Sequence, residues 1–310
     1  SDHLVLTLPL FHVHGLGLGV LGTLFHQMTA TIHPRFDAEQ VVRSIGLGGT
    51  IFMGVPTMYA RLISHLETQQ SSREILAKAR LYTSGSAALP ASAHHAFETL
   101  TGHRILERYG MSETGFTLSN PYDKPRKPGS VGHPVPGYEV RVVNEAGKTC
   151  KAGESGEIWV RGTGLMQAYW QQPKITQAAF TDGWFRTGDI AFVDDQGYHH
   201  IQGRASADII KSGGFKISAL EIEDVLLRHP GIVEAAVIGL PCPEWGERIV
   251  AAIVLTPDTE YDHAAFTEFT KERLANYKCP RDFFPVNTLP RNALGKLQKH
   301  RLKSTLTDRK

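Results

Sequence analysis

The run Arg104-Ile105-Leu106-Glu107-Arg108-Tyr109-Gly110-Met111-Ser112-Glu113-Thr114 packs more chemistry into eleven positions than any other part of this chain. Its first half, Arg104–Arg108, reads as a strand. Its second half, Tyr109–Thr114, sets an aromatic plane, a glycine, two hydroxyls and a carboxylate at the strand end. An aromatic ring there suits stacking on a base, and hydroxyls there can donate to phosphate. Glu113 offers the oxygen ligand that a hard cation such as Mg2+ prefers. Read alone, the stretch fits a polar turn capping a strand equally well.

Upstream of this run, apolar strands alternate with amphipathic helices. Strands are expected at His3–Leu8, Thr29–His33, Ile51–Val55 and Arg80–Ser84, and helices at Gly15–His26, Ala38–Ile45, Pro56–Leu66 and Pro90–Thr101. That is the pattern of a layered α/β domain. From about 130 to 203 the texture changes to short alternating runs, Tyr138–Val143, Gly156–Arg161, Ile190–Val193 and Tyr198–Gln202, separated by turn residues. A β-barrel-like extension is expected there. Residues 204–310 then read as a small α+β domain: a hairpin at Asp208–Ile217, a helix at Leu220–His229, strands at Ile232–Gly239 and Arg248–Leu255, a helix at His263–Leu274, and a basic tail. The expectation is thus an α/β chain of two domains, 1–203 and 204–310. The first begins directly in a strand and so reads as incomplete.

Composition narrows the function classes. With 41% hydrophobic and 21% charged residues over 310 positions, the chain is of ordinary globular type. Lys+Arg 33 against Asp+Glu 31 is too balanced to point to nucleic acid. No apolar run is long enough to span a bilayer. Cys150, Cys242 and Cys279 are far apart and suit a reducing compartment. A cytoplasmic location is expected, or a mitochondrial one in a eukaryote, and no feature sets an oligomeric state.

Several motifs need weighing. Gly17-x-Gly19-x-x-Gly22 matches a dinucleotide fingerprint by letter, but it lies in a continuous apolar run with no acid about twenty residues later. Close helix packing explains it better. His12 and His14 lack a third metal ligand, and a single substrate-facing histidine is the more plausible reading. Ser84-Gly85-Ser86 lacks a nucleophile elbow and suits the close approach of a flat ligand, or simple packing of small residues. Asp182–Asp189 reads as a turn with two acids, where Asp189 suits the hydroxyls of a ribose. Arg204 offers a second ribose or phosphate contact. Lys211-Ser212-Gly213-Gly214 is a flexible basic loop, and Lys296 follows Gly295 on another. Lys299, His300 and Arg301 read as a solvated tail.

These signals are weak singly but informative in order. Leu8-Pro9-Leu10-Phe11-His12, Tyr109–Thr114, Gly156-Glu157-Ile158-Trp159-Val160-Arg161-Gly162, Trp184–Asp189, Gly203-Arg204 with Asp208-Ile209-Ile210-Lys211, and Asn292–Lys296 resemble the ordered core motifs of the adenylate-forming superfamily. That superfamily includes acyl-CoA synthetases, luciferases and peptide-synthetase adenylation domains. The runs Leu106–Glu113, Ser119–Asp123, Ser84–Pro90 and Ile210–Glu221 resemble the malonyl-CoA synthetases, the last run their mitochondrial branch.

The resemblance implies an acid–thiol ligase that uses ATP, Mg2+ and coenzyme A on a small carboxylate, in two steps through an acyl-adenylate. It implies that Tyr109 and Gly110 border the adenine, that the Ser86-Ala87 backbone lines the same pocket, and that Ser112 meets the α-phosphate. Glu113 would bind Mg2+, and Asp189 and Arg204 would hold the ribose. Lys296 would neutralise charge during adenylation. A rotation of the C-terminal lid would then present Lys211 and Gly214 to the pantetheine channel. His12 resembles a gate beside the acyl pocket, which Met111 also borders. A distal carboxylate needs a cation, for which Arg108 is the candidate, with Arg61 behind it; pairing of Arg108 with Glu107 or Glu113 is the alternative.

Two departures from the superfamily pattern stand out. Ser206 occupies the hinge position that is often Lys or Asp. A Ser/Thr/Gly-rich phosphate loop with its lysine should precede the first motif, and residues 1–310 contain none. The expectations are therefore a malonate or small-diacid CoA synthetase for the parent protein, or a catalytically weak adenylate-binding fragment for this stretch alone. A medium-chain or aryl acid ligase, and transfer to a carrier protein, rank below them.

Overall fold

The computed structural model describes residues 2–292 and 297–307. They form two compact units, one of 1–187 with 192–201, the other of 188–191 with 202–310.

The first unit opens with β1 (His3–Leu6), a π-helical segment (His14–Leu21) running into α1 (Gly22–Phe25), and β2 (Thr29–Ile32). Then come α2 (Ala38–Gly46), β3 (Ile51–Gly54), α3 (Pro56–Thr68), α4 (Gln70–Leu76), β4 (Leu81–Ser84), α5 (Ala91–Thr101), β5 (Leu106–Met111), β6 (Gly115–Ser119) and β7 (His133–Pro134). The sheet order is β2-β1-β3-β4-β5-β6-β7. Strands β2 to β5 pair in parallel, and β6 and β7 are antiparallel. Leu4, Val5, Leu6, Ile51 and Phe52 are buried on both sheet faces, as crossover helices require. The helices start where the local chemistry allows. Asp37 caps α2 by accepting from Gln40 N at 2.9 Å, Pro56 opens α3, and Gly102 at φ +76 closes α5. An aromatic core of Phe52, Tyr59, Tyr82 and Phe97 joins helices to sheet, with edge-on ring contacts such as Tyr59–Phe97 at 5.3 Å.

The expected α/β layering is present, with local corrections. Helix α4 and strand β6 had no counterpart in the sequence reading. Of the apolar-run glycines, a Cβ at Gly15 would meet Pro9 O at 2.3 Å and one at Gly19 would meet Leu6 Cδ1 at 2.8 Å. Close packing is therefore the reason for those two; Gly17 and Gly22 have ordinary room.

The next stretch supplies β8 (Tyr138–Val143), β9 (Gly156–Gly162), α6 (Pro173–Ala179), β10 (Phe180–Thr181), β11 (Trp184–Val193) and β12 (His199–Arg204). They form a sheet in the order β10-β11-β9-β8, with β12 also on β11. The turn expected over Asp182–Asp189 is only two residues long, Asp182 and Gly183, both at positive φ. Trp184 pairs with Thr181 across it, so Asp189 lies inside a strand.

The second unit adds β13 (Ile209–Ser212), β14 (Phe215–Ser218), α7 (Ala219–Leu226), β15 (Ile232–Cys242), β16 (Gly246–Leu255), α8 (His263–Lys271), β17 (Asp282–Pro285) and α9 (Lys299–Thr307). Its sheet runs β14-β13-β16-β15, with β17 parallel to β16. Ser218 and Glu221 stand as in a capping box at the start of α7, Ser218 Oγ accepting from Glu221 N. One side of the core holds Ile222, Val237, Ile253, Phe266 and Phe283; the other holds Ile238, Val250, Leu302 and Leu306. The last two residues correct the reading of a solvated tail. Residues 299–307 are a helix whose leucines four apart complete a core.

Candidate active site

In the first unit the site grows from the C-terminal ends of β4 and β5. Parallel pairing sets Ser84 beside Glu107, and successive residues of a strand face opposite ways. Glu107 therefore turns into the interior, where it is 3% exposed and accepts from Leu89 N at 3.0 Å. Burial, little relieved by that hydrogen bond, pushes its carboxyl up to about 8. Arg108 turns the other way. One guanidinium nitrogen lies 2.8 Å from His14 Nε2, and the group stands over the Phe116 ring at 5.3 Å.

That contact determines the tautomer of His14. A guanidinium only donates, so Nε2 is the acceptor and the proton sits on Nδ1. Nδ1 then donates to Ser86 Oγ at 3.1 Å. Burial, followed by the neighbouring Arg108 and His12 charges, pulls His14 down to about 3, so the ring is neutral. Ser86 adopts the left-handed conformation, φ +68, which is costly for a residue with a side chain. Gly85 backs the group: a Cβ there would lie 3.4 Å from His14 Cε1.

No carboxylate among the described residues lies within ion-pair reach of Arg108, while burial pulls its guanidinium down to about 10. The alternative of pairing with Glu107 or Glu113 is not realised. Glu107 faces away, and Glu113 accepts from Tyr169 Oη at 3.1 Å. Arg61 engages the Phe36 ring instead, at 5.0 Å.

Tyr109, Gly110 and Met111 continue β5 instead of leaving it, which corrects the expectation of a turn starting at Tyr109. Only Ser112-Glu113-Thr114 turn the chain into β6. Gly110 is required there, since a Cβ would sit 2.0 Å from Gly115 O. Ser112 is exposed and Glu113 half-buried. The turn is held from below by Tyr138 Oη donating to Thr114 O at 2.6 Å and by Met166 N donating to Glu113 O at 2.7 Å. Ala87 is exposed beside Ser86. His12 is half-buried, and its Nδ1 accepts from His14 N at 3.3 Å.

In the second unit, Arg204 Nε donates to Asp189 Oδ1 at 3.0 Å. Lys211 is exposed on β13, with its backbone N donating to Glu247 Oε2 at 2.9 Å. Gly213 and Gly214, both at positive φ, form the two-residue turn to β14. Lys296 lies outside the described residues.

The structure thus gathers His14, Ser86 and Arg108 into one group, Glu113 with Tyr169 into a second, and Asp189 with Arg204 into a third. Sequence reasoning missed His14 and Tyr169. His14 was read only as the mate of His12 in an incomplete metal pair, whereas it opens the π-helical segment. The signal available was its position two residues after His12, directly before a glycine-rich apolar run.

Residues 1–170 match the family model described as AMP-binding enzyme, and 221–296 match its C-terminal domain. The chain belongs to the AMP-binding enzyme family. Among its relatives, it is 41% identical to the mitochondrial malonate–CoA ligase of Mus musculus over 97% of this chain and 57% of that protein. It is 39% identical to the sulfoacetate–CoA ligase of Cupriavidus necator over 97% of this chain and 59% of that protein. Among solved structures, ATP-bound MatB from Rhodopseudomonas palustris aligns with a TM-score of 0.93 at 39% identity, over 99% of this chain and 61% of that one. The chain spans somewhat more than half the length of the relatives it matches. No helix among the described residues is long and apolar enough to cross a membrane.

Proposed function

We propose that the complete protein is an ATP-dependent, AMP-forming ligase that joins malonate, or a related small diacid, to coenzyme A. The observation that carries this reading is Arg108, a largely buried cation with no carboxylate partner among the described residues and with its guanidinium oriented by neutral His14. Burying a charge without a partner is costly, and a second carboxylate on the substrate supplies the missing anion. Membership of the AMP-binding enzyme family and the malonate–CoA ligase names among the relatives support it.

In this reading residues 1–203 are the downstream part of the AMP-binding domain and 204–310 its lid. One carboxylate of malonate attacks the α-phosphorus of ATP. The bond from that phosphorus to the bridging oxygen breaks, and pyrophosphate leaves. The thiol sulfur of coenzyme A then attacks the acyl carbon, the bond to the AMP oxygen breaks, and the thiol proton passes to solvent. Charge neutralisation and alignment are the main tools for substitution at phosphorus. Tyr109 and Gly110 border the adenine with Ser86 and Ala87, and Ser112 meets the α-phosphate. Asp189 and Arg204 take the ribose, Lys296 meets charge during adenylation, and Lys211 and Gly214 border the pantetheine arm. His12 and Met111 flank the acyl group.

Glu113 suits Mg2+: its carboxylate takes a hydroxyl donor but no cation among the described residues, and one such oxygen ligand with substrate phosphates is the usual arrangement. When bound, the ion would offset phosphate charge. A cytoplasmic location is proposed, or a mitochondrial one in a eukaryotic host.

The test is ATP–pyrophosphate exchange by the complete protein with malonate, methylmalonate, sulfoacetate, acetate, an aryl acid and a medium-chain acid. Malonate or methylmalonate is expected to lead. Sulfoacetate in first place keeps the distal anion but changes the substrate. Monoacids ahead of malonate would remove Arg108 from its role.

A further inference from the structure

Lys299 opens α9, in a stretch that reads as a solvated tail, yet its side chain is only 10% exposed. Its ammonium lies 2.7 Å from Asp208 Oδ1 and 2.7 Å from Glu223 Oε1. The two acids come from the turn after β12 and from α7, so three separate segments of the second unit meet on one nitrogen. Burial works against the charge, but the carboxylates of Glu223 and Asp208 outweigh it and hold the ammonium above its ordinary range. The acids have further partners. Glu223 Oε1 accepts from Val237 N at 2.7 Å, and Asp208 Oδ2 accepts from the backbone N of Arg204 at 3.0 Å.

The Asp208 contact leads to the nucleotide residues. Gly203 stands at φ +122, and a Cβ there would lie 2.3 Å from Asp208 Cβ, so only glycine lets the turn fold back this far. With Arg204 N held by Asp208, the Arg204 side chain leaves the turn in one direction and meets Asp189 at 3.0 Å. A chain of contacts therefore runs from Lys299 through Asp208 and the Arg204 backbone to the Asp189–Arg204 pair.

We propose that Lys299 is a positioning residue for nucleotide binding: by holding Asp208 it fixes the backbone at Arg204, and through it the Asp189–Arg204 pair that takes the ribose. The proposal rests on the nucleotide reading of that pair given above. Without the ammonium, Asp208 and Glu223 are two adjacent, largely buried carboxylates. Asp208 relieves their repulsion by turning to solvent, which releases Arg204 N.

The experiment is calorimetric titration of the complete protein with AMP, with folding checked by circular dichroism at the titration temperature. Lys299→Met is expected to weaken AMP about tenfold, equivalent to about 1.4 kcal/mol. Lys299→Arg, which keeps the charge, is expected to stay within about threefold of the wild type. Asp208→Asn cuts the same link while leaving Lys299 paired with Glu223, so it serves if Lys299→Met does not fold; it too is expected to weaken AMP about tenfold. Leu306→Ala, a core change on the same helix, is expected to lower stability but to leave AMP affinity within about twofold. AMP affinity within about twofold of the wild type in folded Lys299→Met or Asp208→Asn overturns the proposal, as does an equal loss in Leu306→Ala. If those variants bind as the wild type does, only this inference falls. If the wild type itself does not bind AMP, the functional reading falls and takes this one with it.

Discussion

Arg108 and His14 form a donor–acceptor pair in which only one protonation pattern is consistent, and the proposed specificity for a distal anion rests on that pair. Arg108→Met is expected to lower kcat/KM for malonate about a hundredfold, near 3 kcal/mol for a lost charge-assisted hydrogen bond in a buried setting. The rate with acetate, which has nothing to place there, should hardly move. His14→Phe keeps ring volume but removes the acceptor, and should raise KM for malonate about tenfold with less effect on kcat. Combined with Arg108→Met, the His14 change should add almost nothing, because residues acting through one another are not additive. Steady-state kinetics on the two single variants and the double variant check this. Arg108 was legible from the sequence as a cation beside Tyr109. Its partner was not, because His14 lies 94 positions away and meets Arg108, and Ser86 on its other ring nitrogen, only when the π-helical segment packs on the sheet.

At the scale of elements, the β5–β6 hairpin is the part of the site most dependent on backbone geometry. Its register shifts between Tyr109 and Gly110, and the glycine brings the two strands closer than any side chain permits. Gly110→Ala should cost about 3 kcal/mol, since both colliding groups are backbone and neither can step aside. A thermal melt read beside nucleotide binding should show both falling together. The parallel strands and most long helices were legible, because buried apolar runs and amphipathic periods are local signals. Strand β6 and helix α9 were not. Gly115–Ser119 is only five residues long and opens on a glycine, and polar residues dominate Lys299–Thr307; what makes them regular is a partner strand in one case and the Leu302–Leu306 core in the other.

Across the whole first unit, two buried titratable groups pull stability in opposite directions with pH. Glu107 is raised from 4.5 to about 8, so its contribution is fully present below its ordinary value and is lost as pH rises toward 8. His14 is lowered from 6.5 to about 3, so its contribution is present above 6.5 and is lost as pH falls toward 3. Each slope is about 1.4 kcal/mol per pH unit within its window, and between 4.5 and 6.5 they oppose one another. His94 and His199, buried in the same unit and likewise held below the ordinary histidine range by burial, act with His14, so unfolding free energy should fall toward acid pH through the histidines and toward alkaline pH through Glu107. Glu107→Gln should abolish the decline on the alkaline side, as urea unfolding at several pH values would show. The sequence alone determined the family and the order of its motifs, because those depend on residue types at short spacing along the chain. The tertiary structure alone decided which charges are paired, that Arg108 meets no carboxylate among the described residues while Lys299 meets two, because burial and pairing are properties of distance in space. A lysine or an arginine carries no mark in the sequence of which side of the surface it will occupy.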